Sequence, residues 1–179
     1  MGETFKMTIA GLERELPICP LNDKIDIAAF VMFSDVELTV AVSEKLLSKS
    51  PYFDVILTAE SKGIPLAYEM ARQSGKPYVV ARKSIKLYMT DPISVNVKSI
   101  TTAAKQKLYL SKEKAAMLKG KKVLIVDDVI STVESLLALE KLTTEAGGII
   151  SGRSAVLAEG DACERKDICF LEKLPLFFK

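Results

Sequence analysis

Asp127 and Asp128 stand side by side after four aliphatic residues, Val123 to Val126, and are followed by Ser131, Thr132 and Ser135. Adjacent carboxylates accept hydrogen bonds from a vicinal diol, and hydroxyls donate to anion oxygens. A helix opening directly after them adds unpaired backbone N–H groups and a positive dipole end, which suits a phosphate. Ribose 5-phosphate carries these groups in this arrangement. The same residues also allow a purely local reading. Ser131 lies three residues before Glu134, the spacing of a capping box in which hydroxyl and carboxylate satisfy the helix end between them. Both readings stay open at this level.

A second stretch repeats the logic. Thr58-Ala59-Glu60-Ser61-Lys62-Gly63 follows a β-branched run and opens onto a helical pattern, so Ala59, Glu60, Ser61 and Lys62 form a second candidate anion loop. Arg82-Lys83 ends the next short apolar run as a cationic pair. An ordinary strand-to-helix turn and a solvated basic strand end account for these residues equally well.

The elements that must position these groups read as an alternation. Phe5 to Ile9 and Leu12 to Leu16 form a hairpin turning at Ala10-Gly11 and closed by Pro17 and Pro20. Ile25 to Met32 reads as a strand leading into Ser34-Asp35, a helix N-cap, with Leu38, Ala41, Val42 and Leu46 at helical spacing behind it. Strands follow at Asp54 to Thr58, Pro77 to Ala81, Val123 to Val126, Ile149 to Leu157 and Ile168 to Leu174. Helices follow at Ile64 to Gln73 and from Leu136 to the stop at Gly147-Gly148. Lys83 to Lys107 reads as two extended segments joined by a mobile loop. Strands alternating with helices of this length predict an α/β fold, a mainly parallel twisted sheet with helices on both faces, preceded by a small hairpin.

Composition narrows the chemistry. The 179 residues suit a single domain and hold 25 basic against 23 acidic side chains, so the formal charge is +2. That balance gives no electrostatic argument for nucleic acid or an acidic membrane as partner. Histidine is absent, which removes serine–histidine and cysteine–histidine catalysis and histidine-rich metal sites. Cys19, Cys163 and Cys169 are odd in number and lack metal-ligand spacing, which predicts a reduced setting. The longest apolar stretch, Ile27 to Phe33, is too short to span a bilayer and no signal peptide is visible, so a cytoplasmic protein is expected.

The segment Val123 to Ser135 resembles the hallmark of the type I phosphoribosyltransferases: a hydrophobic strand, two acids, two hydrophobics, Ser/Thr-Thr, Gly-Gly and Thr. The hairpin end Arg14-Glu15-Leu16-Pro17-Ile18, the helix start Asp35-Val36-Glu37-Leu38-Thr39 and Pro77-Tyr78-Val79-Val80-Ala81-Arg82-Lys83 extend the likeness along nearly the whole chain, closest to adenine phosphoribosyltransferase-like proteins. The resemblance implies that Asp127 and Asp128 hold ribose hydroxyls, that Ser131, Thr132, Val133, Glu134 and Ser135 form the 5′-phosphate loop, and that Ala59 to Lys62 with Arg82 and Lys83 bind pyrophosphate. It also implies a flexible loop carrying Lys98, Ser99 and Lys105 that closes over the reaction centre. Residues 1–33 and 168–179 of the single domain would form a hood over the base, with Phe30, Phe33, Leu174 and Phe177 near it. Asp26, where xanthine-specific relatives carry lysine, argues against xanthine.

One departure stands out. Val133-Glu134 occupies the place of the family's Gly-Gly, which puts side chains and a negative charge beside the phosphate. The activity implied is transfer of ribose 5-phosphate from 5-phosphoribosyl-1-pyrophosphate to a purine, adenine favoured, with Mg²⁺ as cofactor and a homodimer as the assembly. A catalytically impaired descendant acting as a ligand-sensing regulator is the alternative that Val133, Glu134 and Ile100 favour. A phospho-acceptor receiver domain is set aside, because its acidic pair follows the first strand.

Overall fold

The computed structural model describes residues 2–97, 106–131 and 133–179, without the side chains of Val97, Gln106 and Val133. The expected hairpin is present as β1 (Thr4–Ile9) and β2 (Leu12–Pro20), paired in register from Thr4 opposite Pro17 to Ile9 opposite Leu12. Pro17 and Pro20 lie inside β2 instead of closing it. β3 (Ile25–Ala28) is shorter than its apolar run suggests, and it joins β2 in a separate antiparallel sheet.

Asp35 caps α1 (Val36–Lys49): its carboxylate accepts the Leu38 N–H at 3.1 Å. The Arg14 guanidinium of β2 donates to Asp35 and Glu37, so the hairpin is tied to the start of α1. β4 (Val55–Ala59), α2 (Ile64–Ser74) and β5 (Tyr78–Ala81) follow as a parallel crossover. Gly75 ends α2 at φ 68°, a left-handed conformation in which any side chain is strained.

The two extended segments between Lys83 and Lys107 are a hairpin, β6 (Ile93–Val97) and β7 (Gln106–Leu110), docked on the sheet edge where Arg82 and Tyr109 exchange backbone hydrogen bonds. Lys98, Ser99 and Lys105 lie outside the described residues. A short helix missing from the sequence reading, α3 (Lys112–Leu118), starts at Ser111, whose hydroxyl accepts the Lys114 N–H. It was hidden because seven residues carry too little apolar period. β8 (Lys122–Ile130), α4 (Val133–Glu145), β9 (Ile149–Glu159), a short 3₁₀ turn (Gly160–Glu164), β10 (Cys169–Leu174) and β11 (Leu176–Phe178) complete the chain.

β10-β9-β8-β4-β5 form one parallel sheet, with β10 at its edge as expected. Alternation along the central strands sorts their side chains to two cores. Val55, Leu57, Val123 and Ile125 pack with α4, α3 and the β6–β7 hairpin. Ile56, Leu124 and Val126 pack with α1, α2 and the β1–β3 sheet. The helices therefore cover both faces. β11 pairs with β3, so the chain end closes the small sheet in the order β1-β2-β3-β11. No described helix is long and apolar enough to cross a membrane. Cys19, Cys163 and Cys169 are unpaired.

Candidate functional site

The chain order reverses direction between β4 and β8: β5 lies beyond β4, whereas β9 and β10 lie beyond β8. A crevice opens at such a switch point, at the carboxyl ends of the strands. Here the β4–β8 ladder stops at Leu57 opposite Ile125, while the β8–β9 ladder runs on to Ile130 opposite Ala158. Asp127 and Asp128 were expected just past a strand ending at Val126. They lie instead within β8, because pairing with β9 extends the strand after β4 has left it. The edge exposed by β4's departure is where the acids face the loop 60–63.

Gly63 closes that loop onto β8. A β-carbon at residue 63 would press on the Thr58 hydroxyl and come within 2.8 Å of Asp127 Oδ1 and 3.3 Å of its Cα. Only glycine permits this approach, so the two loops picked out in the sequence meet in one crevice. As the cap of α2, Gly63 supplies no side chain to its N–H groups. Among the described residues the Ser61, Lys62 and Gly63 backbone N–H groups donate to no protein acceptor, which leaves an anion nest. The Glu60–Ser61 peptide is cis.

The electrostatics are self-contained. Asp128 is 3 % exposed, and Lys62 Nζ stands 3.6 Å from its Oδ2. Burial, and then the neighbouring Asp128, push the Asp127 carboxyl well above its ordinary range, against the pull of Lys62. Glu60 accepts the Lys83 N–H at 3.0 Å and pairs with the Arg82 guanidinium at 3.3 Å; that N–H is the main cause of its lowered pKa. Lys62 and Arg82, proposed ligands of one anion, are thus held by Asp128 and Glu60. Lys83 is exposed beside them. Three of the six buried side-chain polar atoms without a hydrogen bond among the described residues, Thr58 Oγ1, Arg82 Nε and Asp128 Oδ2, belong to this crevice. Buried polar groups are otherwise almost always satisfied, so the concentration marks a place for a ligand.

Toward α4, Asp127, Val129, Ser131 and Ser135 line a small hollow that Glu134 does not line. Glu134 lies in the first turn of α4, partly buried, and Thr132 lies outside the described residues. No cluster of three or more acidic or cysteine side chains among the described residues forms a metal cage. The crevice would therefore suit a Mg²⁺ held chiefly by substrate oxygens and water, with Asp128 Oδ2, which has no hydrogen bond but faces Lys62 at 3.6 Å, able to accept from such a water. Of the aromatic residues assigned to a base, Phe30 is 3 % exposed and packs in the core, whereas Phe33 is 49 % exposed. Phe177 packs edge-on against Phe5, and Leu174 is buried. In the sequence Thr58 and Gly63 only bound the second loop, and neither is assigned a role in the site. A glycine directly before a helical run was the available signal for Gly63; nothing local marks Thr58.

A family model described as phosphoribosyl transferase domain matches residues 39–172. The chain is 33 % identical over 161 residues to a hypoxanthine/guanine phosphoribosyltransferase of Methanothermococcus okinawensis, covering 86 % of this chain and 84 % of that one. The corresponding protein of Methanotorris igneus is 31 % identical, over 90 % and 83 %. Among solved structures, adenine phosphoribosyltransferase of Thermoanaerobacter pseudethanolicus superposes with a TM-score of 0.69 at 26 % identity, over 79 % of this chain and 84 % of that one. The Giardia lamblia enzyme complexed with 9-deazaadenine gives 0.68 at 19 % identity, over 95 % and 93 %.

Proposed function

From the premise that this chain belongs to the phosphoribosyltransferases, which are pentosyl-transferring enzymes, we propose that it moves ribose 5-phosphate from phosphoribosyl pyrophosphate to a purine base. The observation that carries the proposal is the meeting of the two loops at Gly63 and Asp127, with unsatisfied polar atoms on both sides of the contact.

Asp127 and Asp128 accept the ribose hydroxyls, and Ser131 and Ser135 with the α4 amino end take the 5′-phosphate. The Ser61–Gly63 amides, Lys62 and Arg82 take the diphosphate, leaving their present carboxylate partners as it enters. Mg²⁺, when bound, offsets diphosphate charge as the leaving group departs. Positioning and electrostatics then supply the catalysis, and no protein nucleophile is needed. The loop carrying Lys98, Ser99 and Lys105 closes over the centre in this reading, excluding water from the ribose cation. Residues 1–33 and 168–179 form the hood, with Phe33 its exposed aromatic. Exposed Ile85, Leu87 and Tyr88 beside Lys83 support a homodimer through that segment.

The sequence alone favours adenine. The relatives alike over most of the chain are named for hypoxanthine and guanine, so these two bases are placed first and adenine second. Purified protein with Mg²⁺, phosphoribosyl pyrophosphate and a panel of bases is expected to yield nucleoside monophosphate with a purine and none with orotate. Product with orotate alone would overturn the base assignment, and no product with any base would leave the second reading.

That second reading, a ligand-sensing homologue without turnover, is favoured by Val133-Glu134 in the Gly-Gly position. A carboxylate in the first turn of α4 competes with phosphate for the same helix end, an effect of about 1 kcal/mol. Restoring glycine at both positions is therefore expected to tighten phosphoribosyl pyrophosphate about fivefold by calorimetry. Unchanged affinity would show that Glu134 points away from the anion.

A further inference from the structure

Glu159 belongs to neither loop, yet three parts of the site converge on it. It ends β9 one residue after Ala158, which pairs with Ile130 just beyond the acids of β8. On its other side it pairs with Leu174 of β10. The next residue, Gly160, lies against the chain-end strand, since a β-carbon there would sit 3.8 Å from Leu176 Cδ1. Through Ala158 and Gly160 it therefore joins the acid-bearing end of β8 to the chain-end strand of the small antiparallel sheet, the two parts between which the reading above seats the base. No hydrogen bond or ion pair among the described residues engages its carboxyl.

Resting on the reading of the site given above, we infer that Glu159 faces the incoming purine and takes the ring N–H proton as the glycosidic bond forms. The ring nitrogen bonds to C1′, the C1′–oxygen bond to diphosphate breaks, and the electron pair leaves with the diphosphate. The proton displaced from the base passes to the Glu159 carboxylate and then to water. Burial pushes this carboxyl up from its ordinary value while Lys62 pulls it down. The other charges on the elements packed around the end of β9 are Asp127 and Asp128 of β8, Asp161 and Glu164 of the 3₁₀ turn, and Glu172 and Lys173 of β10. A carboxylate moved toward neutrality is a better proton acceptor than an ordinary one.

The competing role is purely to hold Lys62. Glu159→Gln, measured with the base varied at saturating phosphoribosyl pyrophosphate, is expected to lose about 100-fold in kcat/KM for the base and to lose the fall in rate on the acidic side of the pH profile. Phosphoribosyl pyrophosphate affinity, read by calorimetry, stays unchanged, and Glu159→Asp recovers part of the rate. Glu159→Asp carries the same comparison of base kinetics and affinity if the glutamine variant fails to fold. Base kinetics and pH profile unchanged would overturn the inference, as would a parallel loss of phosphoribosyl pyrophosphate binding, which assigns Glu159 to Lys62. Failure of the unaltered chain to bind phosphoribosyl pyrophosphate overturns the proposed function itself, a separate and recognisable result.

Discussion

Changing Asp127 and Asp128 together to asparagine lowers kcat/KM for phosphoribosyl pyrophosphate by on the order of 1,000-fold. Each acid offers a charge-assisted hydrogen bond to one ribose hydroxyl, worth about 2 kcal/mol net, and two such losses make about 4 kcal/mol of transition-state binding. At about 1.4 kcal/mol per decade of rate, that is three decades. Asp127 also bears on the stability of the free protein. Asp127 has its folded pKa raised above the ordinary 3.8, chiefly by burial and then by Asp128. A raised folded pKa means stability that is present below the unfolded pKa and is lost as pH rises through the folded one. Asp127→Asn is therefore expected to melt higher than the parent at neutral pH, with the advantage vanishing as pH falls below the ordinary carboxyl range. Thermal melts across pH together with steady-state rates check both halves. A variant that loses activity and also melts lower at neutral pH would contradict this account of the acids.

Gly63→Ala has the second largest effect, and it acts on geometry instead of charge. The added methyl meets the buried Thr58 hydroxyl, Asp127 Oδ1 at 2.8 Å and the Asp127 Cα at 3.3 Å, so the loop must lift away from β8. Overpacking of this kind costs about 2 kcal/mol, which lowers Tm by roughly 5 °C in a domain of this size. Displacing the diphosphate loop by about 1 Å relative to the acids is expected to cost about 100-fold in kcat/KM. Gly75→Ala strains a left-handed residue remote from the crevice, so it is the control: it should lower Tm and leave kcat/KM per folded molecule near the parent's. Equal kinetic losses in both variants would mean that the Gly63 contact has no special part in the site.

Much of the architecture was legible because its signals are local. Leu38, Val42 and Leu46 recur at helical spacing behind Asp35, and Val123 to Val126 form an unbroken apolar run as a central strand requires. What stayed hidden depends on partners distant in sequence. β8 runs on through Asp127 and Asp128 because β9 continues to pair with it, and no feature of residues 123–130 alone says so. β3 is short because it pairs only with Ile18 to Pro20 of β2 and with Leu176 to Phe178 of β11. Of the site, the residue types at 59–62, 82–83 and 127–135 were visible, but not that Lys62 rests on Asp128 and Arg82 on Glu60. Those pairs join residues 66 and 22 positions apart, the first across the point where the strand order reverses and the second across the ends of the neighbouring strands β4 and β5. Phe30 shows the converse limit: an aromatic at a strand end reads alike whether it faces a ligand or, as here, the core.

The most direct measurement is a calorimetric titration of phosphoribosyl pyrophosphate with Mg²⁺ into the unaltered protein and into the Asp127→Asn/Asp128→Asn variant. Saturable one-site binding to the first, abolished or weakened at least tenfold in the second, is the predicted result. No binding to the unaltered protein, or equal binding to both, would contradict the placement of the sugar phosphate between the two loops.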